Sequence, residues 1–284
     1  MTIRLRKLIH LSILYLILSV GALGFAAPFL WMLSTAVKTN SEVFAQPPVL
    51  FPSPIVLENF VKAWTVAPFT QFLFNTVFIA VTGMVGAILS TSLVGFSFAR
   101  LQWAGRDFWF MVMLSTIMLP SAVTLVPTFI LFKTLGWVNT FAPLIVPAWL
   151  AGSAFNIFLF RQFFRGIPKD LDEAATVDGA SSLWIYWRVI LPLSRPAIGA
   201  VAIFSFIFHW NDFLGPLIYL NKQHLFTLSL GLSLLQGSSE FNGQVVSWNY
   251  LMADSVAVMF PCILIFFFFQ RYFIRGVSLA GVQR

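Results

Sequence analysis

FLFNTVFIAVTGMVGAILSTSLVGFSFA, residues 72–99, runs for 28 positions without a charged side chain. A helix rises about 1.5 Å per residue, so roughly 20 apolar residues suffice to cross a bilayer core about 30 Å thick. In hydrocarbon every backbone N–H and C=O needs a partner, and within a single run only a helix provides one for each. A transmembrane barrel would show short alternating segments instead. Comparable runs lie near Leu8–Leu33, Phe108–Phe132, Phe141–Phe164, Pro196–Leu220 and Leu251–Phe273. The expected fold is therefore all-α and polytopic, with six transmembrane helices. The composition agrees: the 284 residues are 59% hydrophobic and 10% charged, against about 25% charged in an ordinary soluble domain. Two parts are expected, an N-terminal helix with an external segment over 1–70 and a five-helix core over 71–284.

The net charge of +7 would raise the question of nucleic acid in a soluble protein. Here the basic residues border apolar runs, and no nucleic-acid partner is expected. With the N-terminus inside, Arg4, Arg6, Lys7, Arg100, Arg106, Arg161, Arg165, Lys169, Arg188, Arg195, Arg271, Arg275 and Arg284 fall on the cytoplasmic side. Lys38, Lys62, Lys133 and Lys222 fall outside. The resulting 13 against 4 accounts for all 17 Lys and Arg, and the positive-inside rule then puts both termini in the cytosol. The first apolar run is longer than the roughly 7–15 residues of a signal-peptide core, so it reads as a retained span.

Within residues 72–99, Gly83, Ala87, Thr91, Gly95 and Ala99 recur at every fourth position, with Gly86 and Ser90 beside them. Small residues at that spacing make a face that another helix can approach closely, in the same chain or in a partner. Prolines 120, 127, 143, 147, 216 and 261 punctuate the later spans. Such prolines break helices around substrate cavities and are also tolerated for packing alone; both readings stand. Residues 34–71, rich in proline, and the polar segment 221–250 with Gly237, Ser238, Ser239 and Gly243 suit either an external partner or plain connection.

The stretch 165–195 differs from all this. Lys169, Asp170, Asp172, Glu173, Asp178, Arg188 and Arg195 gather where a connector of about 2–8 residues would serve. Pro168 suits the start of a helix, the three acids its first turn, and Gly179 a left-handed end. Ser181 or Ser182 then caps a second short helix. Ala174 and Ala175 leave one face with little bulk, open to another backbone, with Glu173 beside it as a charge for a basic group. These features suit a docking element.

EAATVDGASSLWIYWRVILP, residues 173–192, resembles the EAA signature of binding-protein-dependent ATP-binding-cassette (ABC) importers. Glu173, Ala174, Ala175, Gly179, Leu191 and Pro192 are in register, and Val189 stands where isoleucine is usual. HWNDFLGPLIYL (209–220), PTFILFKTLGWVNTFAPLIVP (127–147) and the tail GVSLAGVQR (276–284) are similar to segments of the carbohydrate branch, the second permease of maltose- or glycerol-phosphate-type systems. Gln283 and Arg284 depart from its commoner Lys-Gly ending.

The resemblance implies the type I transmembrane domain of an ABC importer in a bacterial or archaeal inner membrane. It assigns ATPase coupling to Glu173, Ala174, Ala175, Asp178, Gly179, Leu191 and Pro192. The implied partners are a second permease in a heterodimer, two copies of an ATPase that binds the ATP and Mg, an external solute-binding protein and a small polar solute of the sugar class. No cofactor is expected in this chain.

Polar residues in or near spans are functional candidates by default. Asn75, Asn156, Trp210, Asn211 and Asp212 are candidates for the substrate path, although interhelical bonds or a local network near a helix end would explain them too. Asp254 can lie at the external boundary. The single cysteine and three scattered histidines suggest no metal site, and no catalytic set or phosphate-binding loop is present. An ion-coupled secondary transporter would call for paired intramembrane carboxylates and an inverted repeat. An intramembrane enzyme would call for a catalytic cluster.

Overall fold

A computed structural model describes the backbone of residues 3–236, 240–241, 244–245 and 247–281, and the side chains of residues 7, 9–236 and 247–268. The tail positions 283 and 284 and the loop positions Gly237, Ser238, Ser239 and Gly243 lie outside the described residues. Apart from a hairpin of two-residue strands, Glu240–Phe241 and Gln244–Val245, the secondary structure is helical. The chain divides into two units, Met1–Phe69 with Leu232–Pro261, and Thr70–Gly231 with Cys262–Arg284.

The first unit contains α1 (Ile3–Ala36), α2 (Asn40–Val43) and α3 (Glu58–Val66). The last carbonyls of a helix have no partner within it. The buried amide of Asn59 supplies partners where α1 ends, donating to the carbonyls of Ala36 (2.9 Å) and Lys38 (2.8 Å). Asn249 donates to the same Lys38 carbonyl at 3.1 Å. Alanines 36, 63 and 253 pack together there, small enough for close approach. Glu42 orders the segment after α1 by accepting the N–H groups of Thr39 (3.0 Å) and Ser53 (3.1 Å), and the Thr39 bond leads in holding its carboxyl below the usual carboxylate range.

The second unit is built on α4 (Phe69–Arg100), followed by α5 (Arg106–Ser115), α6 (Ser121–Thr134), α7 (Ala142–Trp149), α8 (Ala154–Arg165), α9 (Asp170–Val177), α10 (Ser182–Ile185), α11 (Leu191–Leu193), α12 (Arg195–Asn211) and α13 (Leu214–Tyr219). A π-helical turn, Tyr186–Ile190, joins α10 to α11. The chain continues through α14 (Leu228–Gln236) and α15 (Trp248–Gly281).

Among the described residues, Ile9–Ala36, Phe69–Arg100, Ala142–Arg165 and Trp248–Phe268 are long and apolar enough to cross a membrane. Two more spans come only from bent pairs: Arg106–Met118 with Ser121–Thr134, turned by 102°, and Ser182–Leu193 with Arg195–Asn211, turned by 80°. The third span thus breaks at Leu119–Pro120, because Pro120 has no N–H to donate and holds Leu119 extended. The fourth is interrupted between α7 and α8, where Ala151 takes φ 57° and the Gly152 N–H turns back to the Pro147 carbonyl at 3.0 Å. The fifth is shorter than expected. Its helix ends at Asn211, 17 residues long, and residues up to Leu220 form the separate α13.

The small-residue face of α4 packs inside the chain. A Cβ on Gly83 would meet the His209 ring at 2.4 Å, and one on Gly86 would meet the Trp149 indole at 2.4 Å. At Gly95 the neighbours are Phe160 Cβ (2.8 Å), the Arg161 backbone nitrogen and the Ile157 carbonyl (both 3.3 Å), so α4 and α8 touch almost backbone to backbone. Ser90 adds a hydrogen bond to the Ala148 carbonyl at 2.7 Å. Gly95→Leu is expected to destabilise the membrane unit by about 1–3 kcal/mol, the usual range for overpacking. Lower thermal stability of the detergent-purified variant, with Ala99→Leu as comparison, checks it.

Candidate functional site

The 165–195 loop is a helix-turn-helix seated on the second unit. Gly179 takes φ +84° just past α9, and the Ala180 N–H reaches back to the Ala175 carbonyl at 2.9 Å. This is the left-handed cap with a six-to-one hydrogen bond that ends many helices. Ser181 then caps α10, its hydroxyl accepting the Trp184 N–H at 3.3 Å. Below the loop lies a core of Phe96, Phe160, Phe164, Ile185, Tyr186, Ile190, Ala197 and Val201, against which Ala175, Ala180, Val189 and Leu191 pack. The Tyr186 hydroxyl and Ser92 of α4 share a buried hydrogen bond of 2.7 Å.

α9 has two distinct faces. Asp172 and Ala175, three residues apart, turn inward and are half-buried, whereas Leu171, Glu173, Ala174, Val177 and Asp178 are exposed. Val177 is 88% exposed. Of the pair expected to admit another backbone, Ala174 is therefore the outward one, and Ala175 lets α9 lie close to its own core. Leu191 is turned inward as well, and Pro192 is exposed at the first turn of α11.

Asp172 is held by Arg100, the last residue of α4, with Nη1 to Oδ2 at 3.1 Å. The same guanidinium donates through Nη2 to the carbonyls of Phe164 (2.6 Å) and Ile167 (2.7 Å). Those carbonyls belong to the last turn of α8 and the connector after it, so the cation also serves that helix end, where the Phe164 carbonyl accepts the Ile167 N–H as well at 3.2 Å. Neither Arg100 nor Asp172 is among the coupling residues drawn from the sequence. Their only signal there is a basic residue closing a long span and an acid just before Glu173.

A cavity of about 680 Å³ opens between α4, α6, α7, α8, α12 and α13. Phe132, Phe155, Phe204 and Phe208 give it aromatic walls, and Thr91, Thr124, Thr128, Asn156, Ser205, His209, Asp212 and Tyr219 give it polar ones. No Lys or Arg lines it. The His209 Nδ1–H donates to the Ser205 carbonyl at 2.7 Å, and one Asp212 oxygen accepts the Gly215 N–H at 3.0 Å.

Of the five candidates for the substrate path, Asn156 and Asp212 line this cavity, while Asn75, Trp210 and Asn211 do not. Asn75 is occupied elsewhere. Its amide donates to the carbonyls of His224 (2.8 Å) and Phe226 (2.9 Å), and its oxygen accepts from Gln71 (3.0 Å). Trp210 is buried and stacked on Phe206, and Asn211 bonds back to the Ile207 carbonyl of its own helix. Periodicity missed the threonines of α6 and Tyr219, which reach the cavity only because the third and fifth spans are broken.

A family model described as binding-protein-dependent transport system inner membrane component matches residues 91–279. The arabinooligosaccharides transport system permease protein AraQ of Halalkalibacterium halodurans is 35% identical over 90% of this chain and 90% of its own length. The sn-glycerol-3-phosphate transport system permease protein UgpE of Yersinia enterocolitica is 30% identical over 93% of this chain and 94% of its own. Among solved structures, a bacterial ABC transporter involved in the import of the acidic polysaccharide alginate contains a chain that matches with a TM-score of 0.83 at 22% identity, covering 94% of this chain and 98% of that one.

Because a Cβ on Gly179 would meet nothing within 4 Å, substitution there tests the backbone alone. Gly179→Ala is expected to cost about 1–2 kcal/mol through its left-handed conformation. Hydrogen exchange of the peptide covering 170–185 should speed up about 5- to 30-fold, with exchange elsewhere unchanged.

Proposed function

The chain belongs to the family of binding-protein-dependent transport system inner membrane components, and from that premise we propose that it forms half of the translocation pathway of an ATP-driven sugar importer. The protein is a multi-pass transport subunit of the inner membrane. In this reading a second, related permease supplies the other half of the pathway, two copies of a separate ATPase dock on the cytoplasmic side, and an external binding protein delivers the solute. Both termini lie in the cytosol, in keeping with the 13 to 4 distribution of basic residues.

The observation that carries the proposal is α9, a short helix held firmly to the membrane helices along one side and exposed along the other. Its free side presents Glu173, Ala174, Val177 and Asp178. Exposed apolar side chains at a helix rimmed by acids suit a protein groove with a basic group, which is what an ATPase surface would offer. ATP-driven closure of that groove would displace α9, and the helices attached to it would turn the cavity outward. The ion-coupled alternative gains nothing from family membership.

Cavity chemistry supports the class of solute. Hydroxyls, an amide and aromatic faces suit a sugar ring, which presents hydroxyls at its edge and C–H groups on its faces. The lining includes a carboxylate and no Lys or Arg, so an uncharged solute fits this half of the pathway better than an anionic one.

Glu173→Lys tests the docking reading. In proteoliposomes containing the whole importer, solute-stimulated ATP hydrolysis and uptake should fall by about tenfold or more, as expected when a charge-assisted contact is replaced by repulsion. The purified variant should keep its wild-type melting temperature. Uptake that continues without any ATPase subunit would refute the proposal. For the solute, uptake of a labelled neutral oligosaccharide should be competed by unlabelled neutral sugars and left unchanged by glycerol 3-phosphate or alginate fragments.

A further inference from the structure

Arg100 is bound to three parts of the chain at once. Its side chain is 3% exposed, and it pairs with Asp172 at 3.1 Å while donating to the Phe164 and Ile167 carbonyls at 2.6 and 2.7 Å. One rigid guanidinium therefore joins the end of α4, the end of α8 and the inward face of α9. α8 reaches α9 through the chain itself, across Gly166–Lys169. α4 has no such covalent route, since α5 to α8 intervene in sequence. The Ser92–Tyr186 hydrogen bond ties α4 to the loop further on, and the ion pair with Asp172 is what ties it to α9.

We propose that Arg100 and Asp172 form a strut that carries displacement of α9 into α4, so that α4 and α8 move together when the ATPase closes. The inference rests on α9 being the ATPase-docking helix. α4 lines the cavity through Ala87 and Thr91, which stand about 14–20 Å up the same helix from Arg100 at 1.5 Å per residue. Without the strut α9 would reach α4 only indirectly, through α8 packed against it at Gly95 and through the Ser92–Tyr186 contact, and the Arg100 end of α4 would follow α9 less closely.

The pair is also incompletely used. Arg100 Nε and Asp172 Oδ1 are both buried without a hydrogen-bond partner. An arginine and a carboxylate can make two parallel bonds, and this pair makes one. A buried pair serving only stability gains little over well-packed apolar residues, and less still when it leaves atoms unpaired. Both residues are positioning residues and touch neither solute nor nucleotide.

The test uses the whole importer in proteoliposomes, with Asp172→Asn, Arg100→Gln, the double variant and Asp172→Glu. Each single variant should co-purify with the ATPase in wild-type amount and hydrolyse ATP normally, while solute transported per ATP falls about fivefold. The double variant should be no worse than the poorer single one, and Asp172→Glu should recover most of the ratio. If either single variant assembles and keeps the wild-type ratio, the strut is refuted. It is also refuted if Asp172→Asn abolishes assembly and Asp172→Glu does not restore it, since the pair would then be purely structural. A wild-type importer that takes up solute without consuming ATP would overturn the docking reading itself, and the strut with it.

Discussion

The closeness of α4 to its neighbours governs the second unit. At Gly95 a single added carbon would collide with Phe160 and crowd the backbone of α8, and at Gly83 and Gly86 it would collide with His209 and Trp149. In lipid there is no hydrophobic force to press helices together, so such contact relies on dispersion and on hydrogen bonds that short separation allows. The Ser90 hydroxyl can reach the Ala148 carbonyl only at this range. With α8, α7 and α12 drawn onto one face of α4, Arg100 at its end falls beside the carbonyls that close α8.

The cavity follows from the same packing together with the breaks in the neighbouring helices. An interrupted helix leaves backbone groups unpaired, and in a membrane these must face protein or a polar space. The breaks at Leu119–Pro120, Ala151–Gly152 and Asp212–Phe213 meet that need in different ways. Ser153 restarts α8 by accepting the Asn156 N–H, and Asp212 serves the Gly215 N–H at the start of α13. Two of the polar side chains that line the cavity wall thus begin as devices for helix ends. The cavity and a solution to the backbone's own requirements occupy the same place.

What could be read from the sequence follows the range of the interactions. Span positions were legible because hydropathy is a local sum, and the ends of α9 were legible because Pro168, Ser181 and Gly179 act within a few residues. Pro120 announced the third span's break by its missing donor. The break at Ala151 had no such mark, since alanine is an ordinary helix former and its left-handed conformation is imposed by the turn back to Pro147. The fifth span was drawn too long because LGPLIYL continues the apolar run after Asn211 and Asp212 have ended the helix. Asn75 looked like a path residue, as its partners lie 149 and 151 residues away. Nothing local distinguishes an amide holding a distant turn from one facing a solute.

Arg100 raises the same difficulty in a different form. In a count of basic residues it is one of the 13 expected on the cytoplasmic side and would mark the end of a span there, a role any lysine would fill. Its place in the fold asks for more than charge. Three acceptors from two chain segments converge on one planar group, and a flexible ammonium on a four-carbon stem would not hold them in that arrangement. Burial sharpens the distinction, because an exposed pair is worth little, whereas a buried cation must keep its partners wherever its helix goes. The residue read from the sequence as a topology signal therefore also constrains how α4 can move. Any rotation of that helix must either carry Asp172 and the end of α8 with it or leave a buried cation bare.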